Sequence, residues 1–130
     1  LVNGLGFNTS FNSIDQDASD PESTIFGIND TFNFTAYYEN ERFQARVTYS
    51  KADRVEANDA WSPTYSPARE QIDLAASYNL PVWEKYNITL TFDAYNLTNE
   101  PLQTKFASDH QAANIRYPGA TYTFGIRSQF

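Results

Sequence analysis

Four charged residues and four rings are the parts of this sequence equipped for chemistry. Asp73 and Asp93 lie on segments that alternate polar with apolar residues, and two carboxylates at a fixed separation are the working parts of a glycosidase. Arg46 and Arg127 stand in the same polar phase, free to pair with those acids across neighbouring strands or to grip another part of the protein. Nothing around either Asp is suited to make one of them a proton donor. No nucleophile–His–acid arrangement or phosphate-cradling loop exists, so no catalysis is expected. Trp61, Tyr65, His110 and Tyr117 fall in long irregular stretches, where exposed rings would stack on sugars or on a ligand's aromatic groups and otherwise pack locally. His110 is the single His and there is no Cys, so neither a transition-metal site nor another cofactor is expected. The acidic run Asp15–Glu22 faintly echoes an oxygen-ligand loop. It lacks the Gly and bidentate Glu of an EF-hand and reads by default as a solvated loop.

Composition narrows the classes further. The chain has 130 residues and a formal net charge of −7, with its nine Lys and Arg scattered, which argues against nucleic acid as a partner. Aromatics make up 16% of the sequence, too much apolar surface for a disordered chain. Nowhere do more than three apolar residues stand together, so no transmembrane helix or secretory h-region is expected. The absence of Met implies a processed chain or a piece of a longer one. Five Asn-x-Ser/Thr triplets occur, at Asn8, Asn29, Asn33, Asn87 and Asn96; in an Asn- and Thr-rich β protein they arise by chance.

What positions the charges and rings is a set of strands. The apolar period is two in Phe32–Tyr38, Phe43–Tyr49, Ile72–Leu80, Ile88–Ala94 and Tyr122–Phe130, with a weaker sixth segment at Leu5–Phe11. Of 22 in-phase positions in the first five segments, 21 are apolar; in the opposite phase only Tyr37, Ala75 and Tyr95 are. The prediction is an all-β antiparallel up-and-down meander of about six strands, greasy on one face and polar on the other. Two architectures fit that pattern: a water-soluble sandwich with its greasy faces packed together, or a membrane barrel whose greasy face meets lipid. The connections separate them. Short turns near Glu39–Glu41 and Pro81–Asn87 alternate with long stretches at Ile14–Asp30, Lys51–Arg69 and Leu97–Gly119, as in outer-membrane barrels. Tyr38 and Phe43 flank the first short turn, and Tyr78, Trp83 and Tyr86 the second. These positions suit an interfacial aromatic girdle.

Three stretches then carry a family resemblance. Leu90-Thr-Phe-Asp-Ala-Tyr-Asn-Leu-Thr-Asn-Glu-Pro101 resembles the penultimate strand of TonB-dependent outer-membrane receptors, where an Asn-Leu-Thr-Asn/Asp run leaves the barrel rim. Tyr117-Pro-Gly-Ala-Thr-Tyr-Thr-Phe-Gly-Ile-Arg-Ser-Gln-Phe130 resembles their last strand, and Tyr37–Tyr49 is similar to an earlier short hairpin. The resemblance implies the C-terminal part of a 22-stranded transmembrane β-barrel, with residues 1–130 lacking the plug domain, the TonB box and the earlier strands. It implies energised uptake of a scarce substrate of the siderophore, cobalamin or oligosaccharide class. It places the chain in the outer membrane of a Gram-negative cell, with the C-terminus periplasmic. The implied partners are outer-membrane lipid, the barrel-assembly machinery, the plug of the same parent chain, TonB through that chain, and the substrate. In this reading Tyr122, Phe124, Ile126 and Phe130 form the assembly signal, with Ser128 departing from an all-apolar alternation. Arg46, Asp73, Asp93 and Arg127 face the lumen, and Trp61, Tyr65, His110 and Tyr117 are candidate outer-loop contacts. The competing reading is a secreted β-sandwich that binds carbohydrate through Trp61, Tyr65 and Tyr117.

Overall fold

The computed structural model describes residues 4–14, 29–57, 62–83, 86–108 and 111–129; Trp61, His110, Phe130 and the Asp15–Glu22 run lie outside them. Ten strands form two antiparallel sheets, with no helix among the described residues. The larger sheet joins β1 (Leu5–Asn12), β2 (Thr31–Glu39), β3 (Phe43–Ala52), β6 (Arg69–Trp83), β7 (Tyr86–Tyr95) and β10 (Thr121–Gln129) in that spatial order. These are the six predicted segments, each hydrogen-bonded to the next. Among the described residues the sheet stays open, since β1 and β10 each pair on one side only.

The register keeps the alternation coherent across all six strands. Phe7 pairs with Ala36, Ala36 with Val47, Val47 with Leu74, Leu74 with Ala94, and Ala94 with Tyr122. A one-residue slip in any ladder would turn that strand's apolar set to the polar face, so the pattern itself pins the register. Cross-strand rings reinforce it: Phe92 lies 4.8 Å from Phe124 and 6.4 Å from Tyr122, and Phe32 lies 6.3 Å from Tyr49. On the polar face, the Thr35 and Thr48 hydroxyls meet at 3.1 Å.

The two short turns have distinct local causes. At the first, the Asn40 side-chain oxygen accepts from the Arg42 and Phe43 amides at 3.0 and 2.8 Å, closing an Asx turn, while the Tyr38 and Phe43 rings meet 6.2 Å apart. The second is tighter than its sequence suggests. β6 and β7 continue through most of the expected Pro81–Asn87 connection, with Trp83 opposite Tyr86. The register shifts between Leu80 and Trp83, a β-irregularity that accommodates Pro81, which has no amide hydrogen to donate. Gly6 has its own reason: a Cβ there would strike the Tyr37 ring lying across β1.

No enclosed core accompanies this sheet. Among the described residues only Tyr65, Ala94 and Asn96 are buried. The accessible surface is 9972 Å² for a 14.8 kDa chain, where a compact monomer would expose about 7000 Å². On the apolar face Phe7, Phe34, Val47, Leu90 and Phe124 are all exposed. Every substantial contact between elements runs between hydrogen-bonded neighbours, so no described element packs onto that face.

The second sheet, β4 (Val55–Ala57), β5 (Thr64–Ser66), β8 (Leu102–Phe106) and β9 (Ala112–Arg116), forms within two stretches read from sequence as loops. β5 pairs with β8, so the segment after β3 and the segment after β7 are joined edge to edge. Strands of three to five residues show too little alternation to be read as strands in the sequence.

Candidate functional site

The polar face and the end from which the long connections leave it hold the residues of interest. Arg46, Ala75 and Asp93 stand in one row across β3, β6 and β7; Asp73 is opposite Thr48 in the next row, and Arg127 is opposite Thr89. Arg46, Asp93 and Arg127 line one shallow depression of about 410 Å³. Arg46 and Asp73 line a smaller one of about 110 Å³, and Ala75 belongs to both. The sequence thus places all four charges on one face. They do not pair with one another: among the described residues the ion pairs are Lys51–Asp53 and Arg54–Glu56. The register keeps one pair from standing directly opposite. With Ala75 between them, Arg46 and Asp93 are two strand spacings apart, about 9.5 Å.

Asp73 has a different set of partners. Its carboxylate oxygens accept from Gln71 Nε2 at 2.7 and 2.9 Å and from the Asn96 amide at 2.9 Å, while Gln71 Oε1 accepts from Arg69 Nη2. A ladder of polar side chains therefore runs along one face of β6, from Arg69 through Gln71 to Asp73. The carboxylate thus accepts three N–H contacts, two from the Gln71 amide nitrogen and one from the Asn96 backbone.

Asn96 is the hub where β7 ends. It is buried and sits at φ 56, a left-handed conformation that Asn tolerates better than most residues. Its Nδ2 donates to the Glu100 carbonyl at 3.1 Å and to the Gly119 carbonyl at 3.2 Å, and its Oδ1 accepts from the Glu100 amide at 2.9 Å. The Leu97 amide donates to Ile72 O at 2.9 Å, and Thr98 Oγ1 donates to Glu70 O at 3.0 Å. The Asn-Leu-Thr-Asn run is thus a clamp binding the end of β7 to β6 on one side and to the approach of β10 on the other. Sequence reading quoted this run but assigned Asn96 no role; its concentration of turn-forming polar side chains was the available signal.

The four-stranded sheet and the residue just after it hold two of the predicted rings. Tyr65, a ring read as packing locally unless it meets a ligand, is 8% exposed and lies beneath the Arg54 guanidinium, 3.8 Å from the ring centroid. Arg54 in turn contacts Glu56 at 2.5 Å, and Glu56 pairs with Tyr65 in the β4–β5 ladder. Tyr65 therefore packs locally, whereas Tyr117 is 73% exposed. On β10, Tyr122, Phe124 and Ile126 share the apolar face and are 58, 80 and 78% exposed.

A cleft of about 300 Å³ opens where the four-stranded sheet meets the polar face. Ser66, Arg69, Glu100, Thr104, Asn114 and Arg116 supply its polar lining. Sequence reading missed it because three separated segments build it, and the one quoted motif among them, ending at Glu100-Pro101, reports nothing of the other two. Among the described residues no group of three or more His, Cys, Asp or Glu side chains could hold a metal ion. Comparison with protein-family models, with curated proteins and with solved structures returned no match.

Proposed function

We propose that this chain is the C-terminal wall segment of an outer-membrane TonB-dependent transport receptor. The observation that carries the reading is the bare apolar face, coherent over six strands and backed by a polar face with unpaired charges. In water such a face would be covered by a second sheet; in a bilayer, lipid covers it. The open edges support the same reading. Unpaired backbone groups on β1 and β10 would each cost several kcal/mol in hydrocarbon, so further strands must continue the sheet on both sides. A barrel of 22 strands with an internal plug meets that need.

In this reading the long connections face outward, and the Asn40 turn and the β6–β7 turn face the periplasm. Tyr122, Phe124 and Ile126, with Phe130, offer the terminal apolar alternation to the assembly machinery. Arg46, Asp93 and Arg127 face the wet lumen, where they are available to the plug of the parent chain, itself coupled to TonB. The substrate is a scarce solute captured on the outer side, of the siderophore, cobalamin or oligosaccharide class. The test is the intact mass and partitioning of the native gene product. A protein several times 14.8 kDa, recovered from outer membranes only with detergent and ending in this sequence, is the expected result. A free 14.8 kDa species in the aqueous fraction would overturn the proposal and favour a soluble carbohydrate-binding sandwich.

A further inference from the structure

The cleft between the outer sheet and the wall has a chemical bias of its own. Two arginines, Arg69 and Arg116, line it together with one acid, Glu100, in a chain of formal net charge −7. None of the three is in an ion pair with a described residue. Arg69 is aimed by the β6 ladder: Gln71 takes its Nη2, and Gln71 is itself held by Asp73. One of its five donors is thereby engaged, and its buried Nε has no hydrogen-bond partner among the described residues. Arg116 stands opposite Leu102 on exposed β9, with Asn114 two residues away opposite Thr104. Planar forks of this kind match carboxylates, and neighbouring amide and hydroxyl groups both donate and accept, as a hydroxylated ligand requires.

We propose that this cleft binds a hydroxylated carboxylate, with Arg69 and Arg116 on the acid and Ser66, Thr104 and Asn114 on the hydroxyls. About 300 Å³ suits one sugar ring or one small hydroxy acid, at the lower end of ligand-pocket volumes. Glu100 sets selectivity by repelling a second, misplaced acid group. The inference deepens the transport reading by naming a substrate class, and it rests on that reading only for the ligand's route onward.

The chemistry could come from an acidic saccharide or from a free hydroxy acid, so the test uses both. The full-length protein in detergent is titrated calorimetrically with a tri-uronate, with citrate and with a neutral trisaccharide. At least one acid should bind while the neutral sugar does not. Arg116→Gln should weaken that binding at least tenfold, and Glu100→Gln should tighten it about threefold, a gain that a merely structural role for Glu100 would not produce. Tri-uronate binding alone assigns the saccharide source, and citrate binding alone assigns the hydroxy acid. Arg69→Gln provides a second loss variant if Arg116→Gln fails to fold. Equal binding of neutral and acidic probes, no binding of either acid, or acid binding indifferent to both arginine variants would overturn the proposal. A protein from the aqueous fraction that still binds acid through Arg116 would refute the wall reading and leave the cleft standing.

Discussion

The two sheets of this chain are held by different physics. The six-stranded sheet repeats one rule, apolar in one phase and polar in the other, and its ladders agree because any slip would exchange the two faces. The outer sheet follows no such rule. Its strands are three to five residues long, and particular contacts hold them: Arg54 over Tyr65, Glu56 on Arg54, and the Asn96 clamp at its base. The wall is specified by a pattern that tolerates many sequences; the outer sheet is specified by a few side chains and is correspondingly easier to retune for a ligand.

The largest expected effect breaks the wall's rule. Leu74→Arg, in the central row of the apolar face, should destabilise the folded protein in bilayers by ~2–4 kcal/mol, whereas Thr48→Arg on the polar face should cost less than about 1 kcal/mol. Denaturant titration of the vesicle-inserted protein checks both, and equal effects would erase the distinction between the faces. Next comes the clamp. Asn96→Ala strips partners from the Glu100 amide and the Gly119 carbonyl, for a loss of ~2–3 kcal/mol, since unmade buried hydrogen bonds cost ~1–3 kcal/mol each. Limited proteolysis should show cleavage between residues 97 and 119 rising while the wall stays resistant.

Smaller effects sharpen the comparison. Gly6→Val drives a side chain into the Tyr37 ring, and overpacking of this kind costs ~1–3 kcal/mol; at this exposed edge, where the ring can swing away, the low end is expected. Adding Tyr37→Ser should recover most of the loss in a double-mutant cycle. The smallest change is Arg54→Ala, which removes a half-exposed cation–π contact worth ~0.5–1 kcal/mol. It should raise amide exchange in β4 and β5 and leave β2, β3 and β6 unchanged.

How much of this was legible in the sequence follows from the same contrast. Segments such as Ile72–Leu80 announce themselves because four or five alternate positions agree, and the polar phase then fixes the face on which Arg46, Asp73, Asp93 and Arg127 stand. The partners of those residues were not legible. Mutual pairing was the simplest expectation, yet pairing depends on which residues fall opposite one another, and Ala75 separates Arg46 from Asp93. Asp73 instead serves Gln71 and the Asn96 amide, the latter 23 residues away. The partners of Tyr65 were hidden for a related reason: the long-range β5–β8 pairing and the Arg54 cover enclose its ring, and no local pattern reports either. The cleft needed three segments brought together, and no local pattern reports that.

The central claim is that the apolar face meets lipid and the polar face meets water. This chain has no Cys, so with any cysteines elsewhere in the full-length protein replaced first, single cysteines can be introduced along β3 and spin-labelled after reconstitution in vesicles. Labels at Ala45, Val47 and Tyr49 should collide with lipid-soluble oxygen, and labels at Arg46, Thr48 and Ser50 with a water-soluble nickel chelate, alternating residue by residue. Apolar-phase labels shielded from both reagents, or open to the aqueous one, would contradict the account and place this sheet in a soluble sandwich.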